Sequence, residues 1–275
     1  MNIELQKIQR LQLDMLKEVK RICEKHNIPY FLMAGTLLGA VRHGGFIPWD
    51  DDLDVGMLKE DYFRFLEVAE EELQYPYFIQ NWKKEKHYAY PYAKMMIKDT
   101  LWLEEVSRKV DISHGVYIDI VCFYPIPDKE SERKKIYKKH MMLRQMILAR
   151  DGYDAFSYKK GIKKMLFMGT VLLSKCFSSS YLKKKYEKLL FSLPQTDYSS
   201  YFPFGVPYTY KRGITKREWV EDLIPIKFCD DEFMVPRLYD EYITYAYGDY
   251  MTPPPEDKRI NYHSIIKLDL GKYGN

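Results

Sequence analysis

The sequence predicts an α+β protein in which helices surround a set of short strands, with a basic helical subdomain inserted between two parts of the core. Apolar residues recur every three or four positions through residues 3–26, as in an amphipathic helix. Short apolar runs separated by turn residues lie between residues 77 and 123, and residues 129–190 carry 17 Lys and Arg against 5 Asp and Glu. The expected parts are a core over 1–128, a basic helical subdomain over 129–197 and a C-terminal segment over 198–275 that completes the core.

The first quarter of the chain predicts two helices and two strands around a glycine-rich turn. Asn27 and Pro29 end the first helix. Gly35 is expected at a turn where the backbone approaches another group closely. The remaining elements are a buried strand over Pro29–Ala34, a helical turn over Thr36–Val41 whose free N–H groups face a phosphate, a strand over Asp52–Met57, and a helix over Lys59–Leu73 with Phe63, Leu66, Val68 and Ala69 towards the core.

The rest of the chain predicts strands, then basic helices, then a mixed C-terminal part. Strands are expected over Tyr77–Asn81, Tyr92–Ile97, Leu101–Val106 and Val116–Phe123, and helices over Glu132–Arg150, Lys163–Phe177 and Tyr181–Leu190. A hairpin over Ile224–Val235 with Asp230 and Asp231 at its turn precedes a helix over Pro236–Tyr247. If the chain is helical from Asp257 onward, Arg259 and His263 share one face.

An acidic run follows the glycine-rich turn. In a strand, alternating side chains would place Asp50, Asp52 and Asp54 on one face and Asp51 on the other. Converging carboxylates repel unless a cation lies between them, and their hard oxygens favour Mg²⁺ or Mn²⁺. A solvated acidic turn is the alternative. A calcium loop is excluded, because its sixth and twelfth positions would be Val55 and not Gly, and Asp61 and not Glu.

A further carboxylate interrupts an apolar strand. Asp119 lies within VYIDIVCFYP, where a lone buried charge is costly without a partner. It is expected to face Asp52 and Asp54 across the sheet, unless it lies at an exposed strand end or bonds to a turn.

Composition limits the cellular setting. Neither a signal peptide nor an apolar run long enough to span a bilayer is visible, so a soluble cytoplasmic protein is expected. The cysteines Cys23, Cys122, Cys176 and Cys229 have no metal-ligand spacing and are expected to be buried free thiols. The basic stretch 129–190 is either a solvated lysine-rich face or a face for anionic lipid or a polyanionic glycan. The chain shows no RNA-binding signature, so no specific nucleic acid partner is expected.

The order of helix, strand, Gly-Thr, Asp-x-Asp and a later Asp resembles the nucleotidyltransferase fold of the polymerase-β-like superfamily. The longer stretches GTLLGAVRHGGFIPWDDDLDVGM, GVYIDIVCFYP and YGDYMTPPPEDKR resemble the LicD family, to which the fukutin-related proteins are also similar. The resemblance implies a mixed sheet flanked by helices and a phosphotransferase for substituted phosphate groups. That enzyme would transfer a phospho-alcohol, most commonly phosphocholine from CDP-choline, to a cell-surface glycan such as a lipopolysaccharide or teichoic-acid-type precursor.

The resemblance also implies roles for individual residues. Asp52, Asp54 and Asp119 would be catalytic and bind Mg²⁺ or Mn²⁺, with Asp50 as a supporting ligand and Asp119 as third ligand or base. The donor phosphates would be bound by Gly35, Thr36, Arg42, Lys94, Arg259 and His263. The aromatic substrate pocket would draw on Trp49, Trp82, Tyr90 and Tyr92, with Tyr88 and Trp102 nearby, because aromatic faces attract a quaternary ammonium.

Other functions remain open at this stage. A CDP-ribitol or CDP-glycerol donor would use the same acids, and so would a nucleotidyltransferase acting on a sugar phosphate, an antibiotic or an RNA end. A binding module with a degenerate site is the alternative outside enzymes. The enzyme is expected in the cytoplasm, with peripheral contact between residues 129–190 and the inner face of the membrane.

Overall fold

The computed structural model describes residues 3–154, 162–259 and 263–274. Its helices are α1 (Ile3–His26), α2 (Ala34–His43), α3 (Lys59–Glu72), α4 (Glu130–Arg150), α5 (Ile162–Lys175), α6 (Ser179–Phe191), α7 (Tyr210–Gly213), α8 (Arg217–Val220) and α9 (Tyr239–Tyr247). Its strands are β1 (Phe31–Leu32), β2 (Asp54–Leu58), β3 (Tyr77–Gln80), β4 (Ala93–Ile97), β5 (Leu101–Glu104), β6 (Tyr117–Ile126), β7 (Ser200–Pro203), β8 (Thr215–Lys216), β9 (Leu223–Phe228), β10 (Asp231–Pro236) and β11 (Ile265–Asp269).

A mixed sheet forms the centre of the described residues. Its strands follow the order β1-β2-β6-β4-β3, and β7 pairs with β6 and β8 with β7. The β2–β6 pair is parallel, whereas β6 pairs antiparallel with both β4 and β7. Helices α1 and α3 both contact β6. The predicted α+β class, with a mixed sheet flanked by helices, is confirmed.

Strand β6 is the centre of the core because it is covered on both faces. Nine of its ten residues are buried, and Asp119 is the exception with partial exposure. Such continuous apolar composition is typical of a strand with no solvated face. Against it lies the apolar stripe of α1, which includes the fully buried Met15, Val19 and Ile22. Any charge carried by β6 must therefore find its partner inside the protein.

Most of the predicted elements are confirmed to within a few residues. The helix over residues 3–26 matches α1, the four middle strands match β3 to β6, and the basic helices match α4 to α6. The predicted hairpin corresponds to β9 and β10, whose turn is formed by Cys229 and Asp230. Between α4 and α5, residues 155–161 lie outside the described ranges.

Two local predictions around the glycine-rich turn are wrong. The strand expected over Pro29–Ala34 contains only Phe31 and Leu32, because the chain enters α2 at Ala34. Gly35 and Thr36 are consequently not a turn but the first turn of a ten-residue helix. The left-handed turn comes at the far end of that helix, where Gly44 has φ 65° and its N–H donates to the Ala40 carbonyl.

Helix α3 faces the core as predicted: Ala69 is buried and Phe63, Leu66 and Val68 are partly buried and pack against the core, where Tyr62 and Phe65 are buried as well. Two further predictions need correction. Arg259 follows a short 3₁₀ turn and His263 precedes β11, so they do not share a helix face. All four cysteines are free as expected, but Cys176 is exposed and Cys229 half-buried.

The three-part division of the chain stays a prediction. Helices α5 and α6 both contact α4, as a helical subdomain requires. The C-terminal segment contributes β7 to the central sheet and β11 to a pair with β5. No helix among the described residues combines the length and apolar character needed to cross a membrane.

Candidate active site

The strand register brings an aspartate, a second aspartate and a lysine side by side. Asp54 is the partner of Asp119 across the parallel β2–β6 pair, and Lys94 is the partner of Asp119 across β4–β6. The Lys94 Nζ lies 3.4 Å from Asp119 Oδ1. The cost of burying Asp119 in an apolar strand is therefore offset by a neighbouring cation. The predicted proximity of Asp119 to Asp54 is confirmed.

The acidic run leads into β2 as an irregular loop. The strand begins at Asp54 and not at Asp52 as predicted, but side chains still alternate in burial, with Asp51 and Leu53 buried and Asp50 and Asp52 partly exposed. Carboxylate oxygens of Asp50, Asp51 and Asp52 lie within 4.8 Å of one another. We call Asp50, Asp51, Asp52, Asp54 and Asp119 the acid cluster.

Helix α1 holds the backbone of this loop with two glutamines. The amide Nε2 of Gln9 donates to the Asp50 carbonyl at 2.8 Å, and that of Gln12 donates to the Asp51 carbonyl at 2.8 Å and the Tyr117 carbonyl at 3.2 Å. Both glutamines are buried. The loop is thus tied to α1 and β6 by hydrogen bonds that exposed acidic turns lack.

Helix α2 fixes the other side of the acids. The Thr36 hydroxyl accepts a hydrogen bond of 2.8 Å from the Asp54 backbone N–H. A Cβ on Gly35 would lie 2.5 Å from Asp50 Oδ2, so only glycine leaves room for that carboxylate. Gly35 was predicted to allow a close backbone approach, and the approaching group is Asp50. Thr36 is predicted to bind phosphate, yet its oxygen already holds Asp54 in place.

Crowding changes the protonation of the acid cluster. Burial, together with the charge of Asp52, raises the pKa of Asp50 to about 8. Burial also raises the pKa of Asp54 well above its usual value, with contributions from Asp52 and Asp119. For Asp119, burial raises the pKa although Lys94 opposes the shift. Burial, reinforced by repulsion among the carboxylates, thus outweighs the effect of the neighbouring cations.

The acid cluster fits a hard divalent cation. Its donors are all carboxylate oxygens, the type that Mg²⁺ and Mn²⁺ prefer. Asp51 Oδ2 and Asp119 Oδ1 are buried and accept no hydrogen bond from any residue that the structure describes. Asp52 and Asp54, with Asp50 and Asp119, are the residues that would hold the ion, and Asp51 adds a fifth carboxylate beside them.

His263 lies against the acid cluster. Its Nδ1 donates to Asp51 Oδ1 at 2.9 Å. Burial lowers the pKa of His263, but the bond to Asp51 and the charge of Glu104 outweigh it and raise the pKa to about 10. The imidazole is therefore charged. His263 was predicted to close over the donor phosphates. In the structure it contacts the acid loop.

The other predicted phosphate ligands form a separate basic group. Arg42 donates to the Tyr250 carbonyl at 2.7 Å, and Arg259 donates to the Pro254 carbonyl at 2.9 Å. The Arg259 guanidinium lies 5.1 Å from the centre of the Trp49 ring. Burial, and to a smaller extent the charge of Arg259, lowers the pKa of Arg42. Arg259 thus lies beside Trp49, directly before Asp50 in the chain, and close enough to Arg42 for its charge to act there.

Three of the four predicted pocket residues line one groove. Trp82, Tyr90 and Tyr92 surround a space of about 480 Å³ between α3 and α6, together with Tyr124. We call it the aromatic groove. Burial and then the charge of Asp119 raise the pKa of Tyr92, so this groove lies close to the acids. Trp49 is not part of it, because Trp49 packs with Arg259.

Sequence reasoning missed several residues of the site. Gln9 and Gln12 carry a readable signal, since Gln12 occupies an apolar-stripe position between Ile8 and Leu16 on α1. Asp51 was predicted to point away from the other acids and was given no function. Glu104 ends a strand as an ordinary exposed acid would, and its sequence gives no sign that the Tyr117 hydroxyl donates to it.

A comparison with family models then identifies the class of protein. Residues 27–148 match the family described as LicD/FKTN/FKRP, nucleotidyltransferase domain. This match confirms, over residues 27–148, the resemblance to the LicD family seen in the sequence.

Particular relatives extend this match. The chain is 27% identical over 269 residues to the lipopolysaccharide cholinephosphotransferase LicD of Haemophilus influenzae, covering 95% of this chain and 96% of that protein. It is 44% identical over 67 residues to an uncharacterized protein of Rickettsia typhi, covering 24% of this chain and 22% of that one. It is 50% identical over 40 residues to the human ribitol 5-phosphate transferase FKRP, covering 14% of this chain and 8% of that one.

Proposed function

We propose that the protein is a phosphotransferase of nucleotidyltransferase-type fold that moves a phospho-alcohol from a CDP-alcohol to a hydroxyl group of a cell-surface glycan precursor. The observation that carries the proposal is the acid cluster, in which carboxylate oxygens of Asp50, Asp51 and Asp52 converge and Asp54 and Asp119 are strand partners beside Lys94. Relatives named as cholinephosphate and ribitol-phosphate transferases support the same reaction type. Phosphocholine is the group we favour, because the relative that matches along nearly the whole chain is a cholinephosphotransferase.

Each residue has a proposed task in binding the donor. Asp52 and Asp54 hold a Mg²⁺ or Mn²⁺ ion, with Asp50 in support. A bound ion would stabilise the charge that develops on the phosphate oxygens. The backbone N–H groups of Gly35 and Thr36, at the start of α2, face the donor phosphates. The donor phosphates are also met by Arg42, Lys94, Arg259 and His263.

The proposed transfer forms one P–O bond and breaks another. The acceptor hydroxyl oxygen attacks the distal phosphorus and forms a new P–O bond. The bond from that phosphorus to the bridging oxygen breaks, and CMP leaves with the electron pair. Asp119 takes the hydroxyl proton, or it serves as a third ligand of the ion. The substitution Asp119→Asn separates these tasks by degree: loss of a ligand should weaken Mn²⁺ binding strongly, whereas loss of a base should mainly lower kcat.

Product identity tests the reaction. The purified protein is offered CDP-choline, CDP-ribitol and CDP-glycerol with Mg²⁺ and a panel of glycans, and the products are weighed by mass spectrometry. Release of CMP with a phospho-alcohol on the glycan supports the proposal. Release of pyrophosphate with a nucleotidylated product overturns it in favour of nucleotidyl transfer.

The aromatic groove is the proposed seat of the choline group. A quaternary ammonium is attracted to aromatic faces, and the groove presents those of Trp82, Tyr90 and Tyr92. Replacing Trp82 with Ala should raise KM for CDP-choline far more than KM for CDP-ribitol. Equal effects on both donors would remove the choline assignment and leave the reaction type standing.

The basic subdomain is proposed to rest on the inner face of an anionic membrane. Met168 and Leu172, four residues apart on α5, are 57% and 63% exposed, and Leu173 beside them is 49% exposed. Exposed apolar residues flanked by Lys175 and the lysines of α4 and α6 match an interface of acyl chains and anionic headgroups. Binding to phosphatidylglycerol vesicles should weaken steeply with salt and fall in Leu172→Gln. Salt-independent or absent binding would reject the membrane surface.

A further inference from the structure

A second cavity adjoins the acid cluster on the other side of Tyr90. It is an open recess of about 320 Å³, counted out to the solvent at its mouth, and its walls include Tyr88, Tyr90, Trp102 and Tyr117 with the charged Lys94 and Glu104. We call it the polar pocket. Lys94 connects it to the acid cluster, because its ammonium lies 3.4 Å from Asp119. The proposed chemistry assigns no ligand to this space.

Two buried polar atoms of the pocket walls are without a partner. Trp102 is 2% exposed and Tyr88 fully buried. Within residues 3–154, 162–259 and 263–274, neither the Trp102 Nε1–H nor the Tyr88 hydroxyl makes a hydrogen bond. Buried polar groups nearly always have partners, and leaving them unpaired costs stability. A ligand that supplies the missing hydrogen bonds would offset this loss of stability.

Trp219 provides the internal contrast. It is as buried as Trp102, at 3% exposure, but its Nε1 donates to Glu241 at 3.3 Å. The fold thus pairs the indole N–H of Trp219 and leaves the indole N–H of Trp102, which lines the polar pocket, unpaired among the described residues.

The charges of the pocket are already balanced. The Lys94 ammonium lies 3.1 Å from the centre of the Tyr117 ring, and the Tyr117 hydroxyl donates to Glu104. Burial raises the pKa of Glu104, but Lys94 and His263 outweigh it and hold the pKa below its usual value. The aromatic face that could receive a cation therefore carries one. A trimethylammonium group would place a second cation beside Lys94 and has no atom to pair with Trp102 or Tyr88.

We propose that the polar pocket binds a neutral, hydroxyl-rich group and that this group is the acceptor sugar. Its hydroxyls accept from the Trp102 N–H, the Tyr88 O–H and the Lys94 ammonium and donate to Glu104, while its C–H face packs on the aromatic rings. A hydroxyl held there lies beside Asp119, where the proposed transfer needs it. The assignment of the sugar as acceptor rests on the proposed function; the binding itself does not. A donor polyol such as ribitol shares the chemistry and is the other source.

Two conservative substitutions test the pocket by binding alone. Trp102→Phe and Tyr88→Phe keep the rings and remove only the unpaired atoms. Saturation-transfer NMR is recorded with methyl galactoside, methyl glucoside, ribitol and CDP-choline on the full chain. Each substitution should weaken glycoside binding by about five- to tenfold, the value of one hydrogen bond. The melting temperature should stay level or rise, since an unpaired buried group is removed.

Matched controls exclude a general effect on folding. Trp219→Phe and Tyr245→Phe remove a hydrogen-bonded N–H and a hydrogen-bonded hydroxyl outside the pocket, so glycoside affinity should not change. Loss of ribitol and CDP-ribitol binding without loss of glycoside binding would assign the pocket to the donor. Unchanged affinity for every hydroxylated probe, or no glycoside and ribitol binding by the unaltered protein, would overturn the proposal. So would an equal loss for CDP-choline.

The binding result is independent of the reaction. Glycoside binding that falls in Trp102→Phe while the unaltered protein releases no CMP would uphold the pocket and reject the proposed function. CMP release with unaltered glycoside binding in both variants would do the reverse.

Discussion

Two groups of carboxylates in this protein have opposite electrostatic surroundings. At the end of α3, Glu72 lies 2.6 Å from Lys25, 2.8 Å from His26 and 3.2 Å from Arg21. Hydrogen bonds from Lys25, His26 and Arg21 lower the pKa of Glu72 to about 2. In the acid cluster the carboxylates crowd together, and the pKa of Asp50 rises to about 8 through burial and the charge of Asp52.

The difference distinguishes a structural ion-pair contact from a site that is arranged to bind a cation. Because Glu72 is paired with neighbouring cations, it links α1 to α3 and requires no further ligand. The carboxylates of the acid cluster repel one another, and an asparagine in place of one aspartate would reduce this repulsion. Retained repulsion in a buried, hydrogen-bonded loop is typical of a site that binds a cation.

The substitution Asp54→Asn tests the centre of this contrast and has the largest expected effect. It removes one charge from the proposed ion site while keeping size and hydrogen bonding, so turnover should fall by about 10³-fold or more. Circular dichroism should show an unchanged fold. Asp111→Asn, at an exposed aspartate, serves as control and should keep full activity. Full activity in Asp54→Asn would contradict the proposed role of the acid cluster in binding the ion.

A glycine substitution displaces one acid without changing any charge. The Cβ of Gly35→Ala would lie 2.5 Å from Asp50 Oδ2 and push that carboxylate aside. A shift of this size at a reacting site costs about 10²-fold in turnover. Gly169→Ala on α5, where a Cβ meets nothing within 4 Å, should leave activity unchanged. Equal kcat/KM for Gly35→Ala and the unaltered enzyme would show that Asp50 needs no fixed position.

His140 extends the comparison to a buried base with no opposite charge. Burial lowers its pKa to about 3, so the folded protein keeps the imidazole neutral. The unfolded chain takes up the proton below pH of about 6.5, so folding stability should fall by roughly 2 kcal/mol between pH 6.5 and pH 5. Urea unfolding at both pH values measures this loss. In His140→Phe that part of the pH dependence should vanish, and an identical slope in both proteins would contradict it.

Glu72→Gln has the smallest expected effect. Because the pKa of Glu72 is lowered in the fold, its contribution is complete above the unfolded value and is lost as the pH falls towards about 2. The variant should lack this part of the acid sensitivity in thermal melts and keep normal turnover. A large loss of turnover in Glu72→Gln would erase the distinction between the two groups of carboxylates.

Local patterns predicted much of this architecture. The stripe of α1, the short strands and the acidic run depend on spacing within a few residues, so the sequence suffices to find them. Lys94, Asp54 and Asp119 were singled out in advance, but their adjacency follows from pairing among β2, β4 and β6, which no single segment specifies.

The failures have a common physical origin. Gly35 indicated a close approach, but the approaching atom belongs to Asp50, fifteen positions later, and only tertiary packing reveals it. The bond from His263 to Asp51 joins residues 212 positions apart. Trp49 was grouped with other aromatics by residue type, whereas packing places it with Arg259. Residue type and spacing therefore predicted which residues belong to the candidate site. They predicted less well which of those residues contact one another.

The central claim is that the acid cluster binds a divalent ion together with a diphosphate donor. Isothermal calorimetry of Mn²⁺ with the full chain and with Asp54→Asn, each with and without CDP-choline, tests it most directly. We expect one ion per chain, tighter binding when CDP-choline is present, and strong weakening in Asp54→Asn. Equal Mn²⁺ binding by both proteins, or none by either, would contradict it.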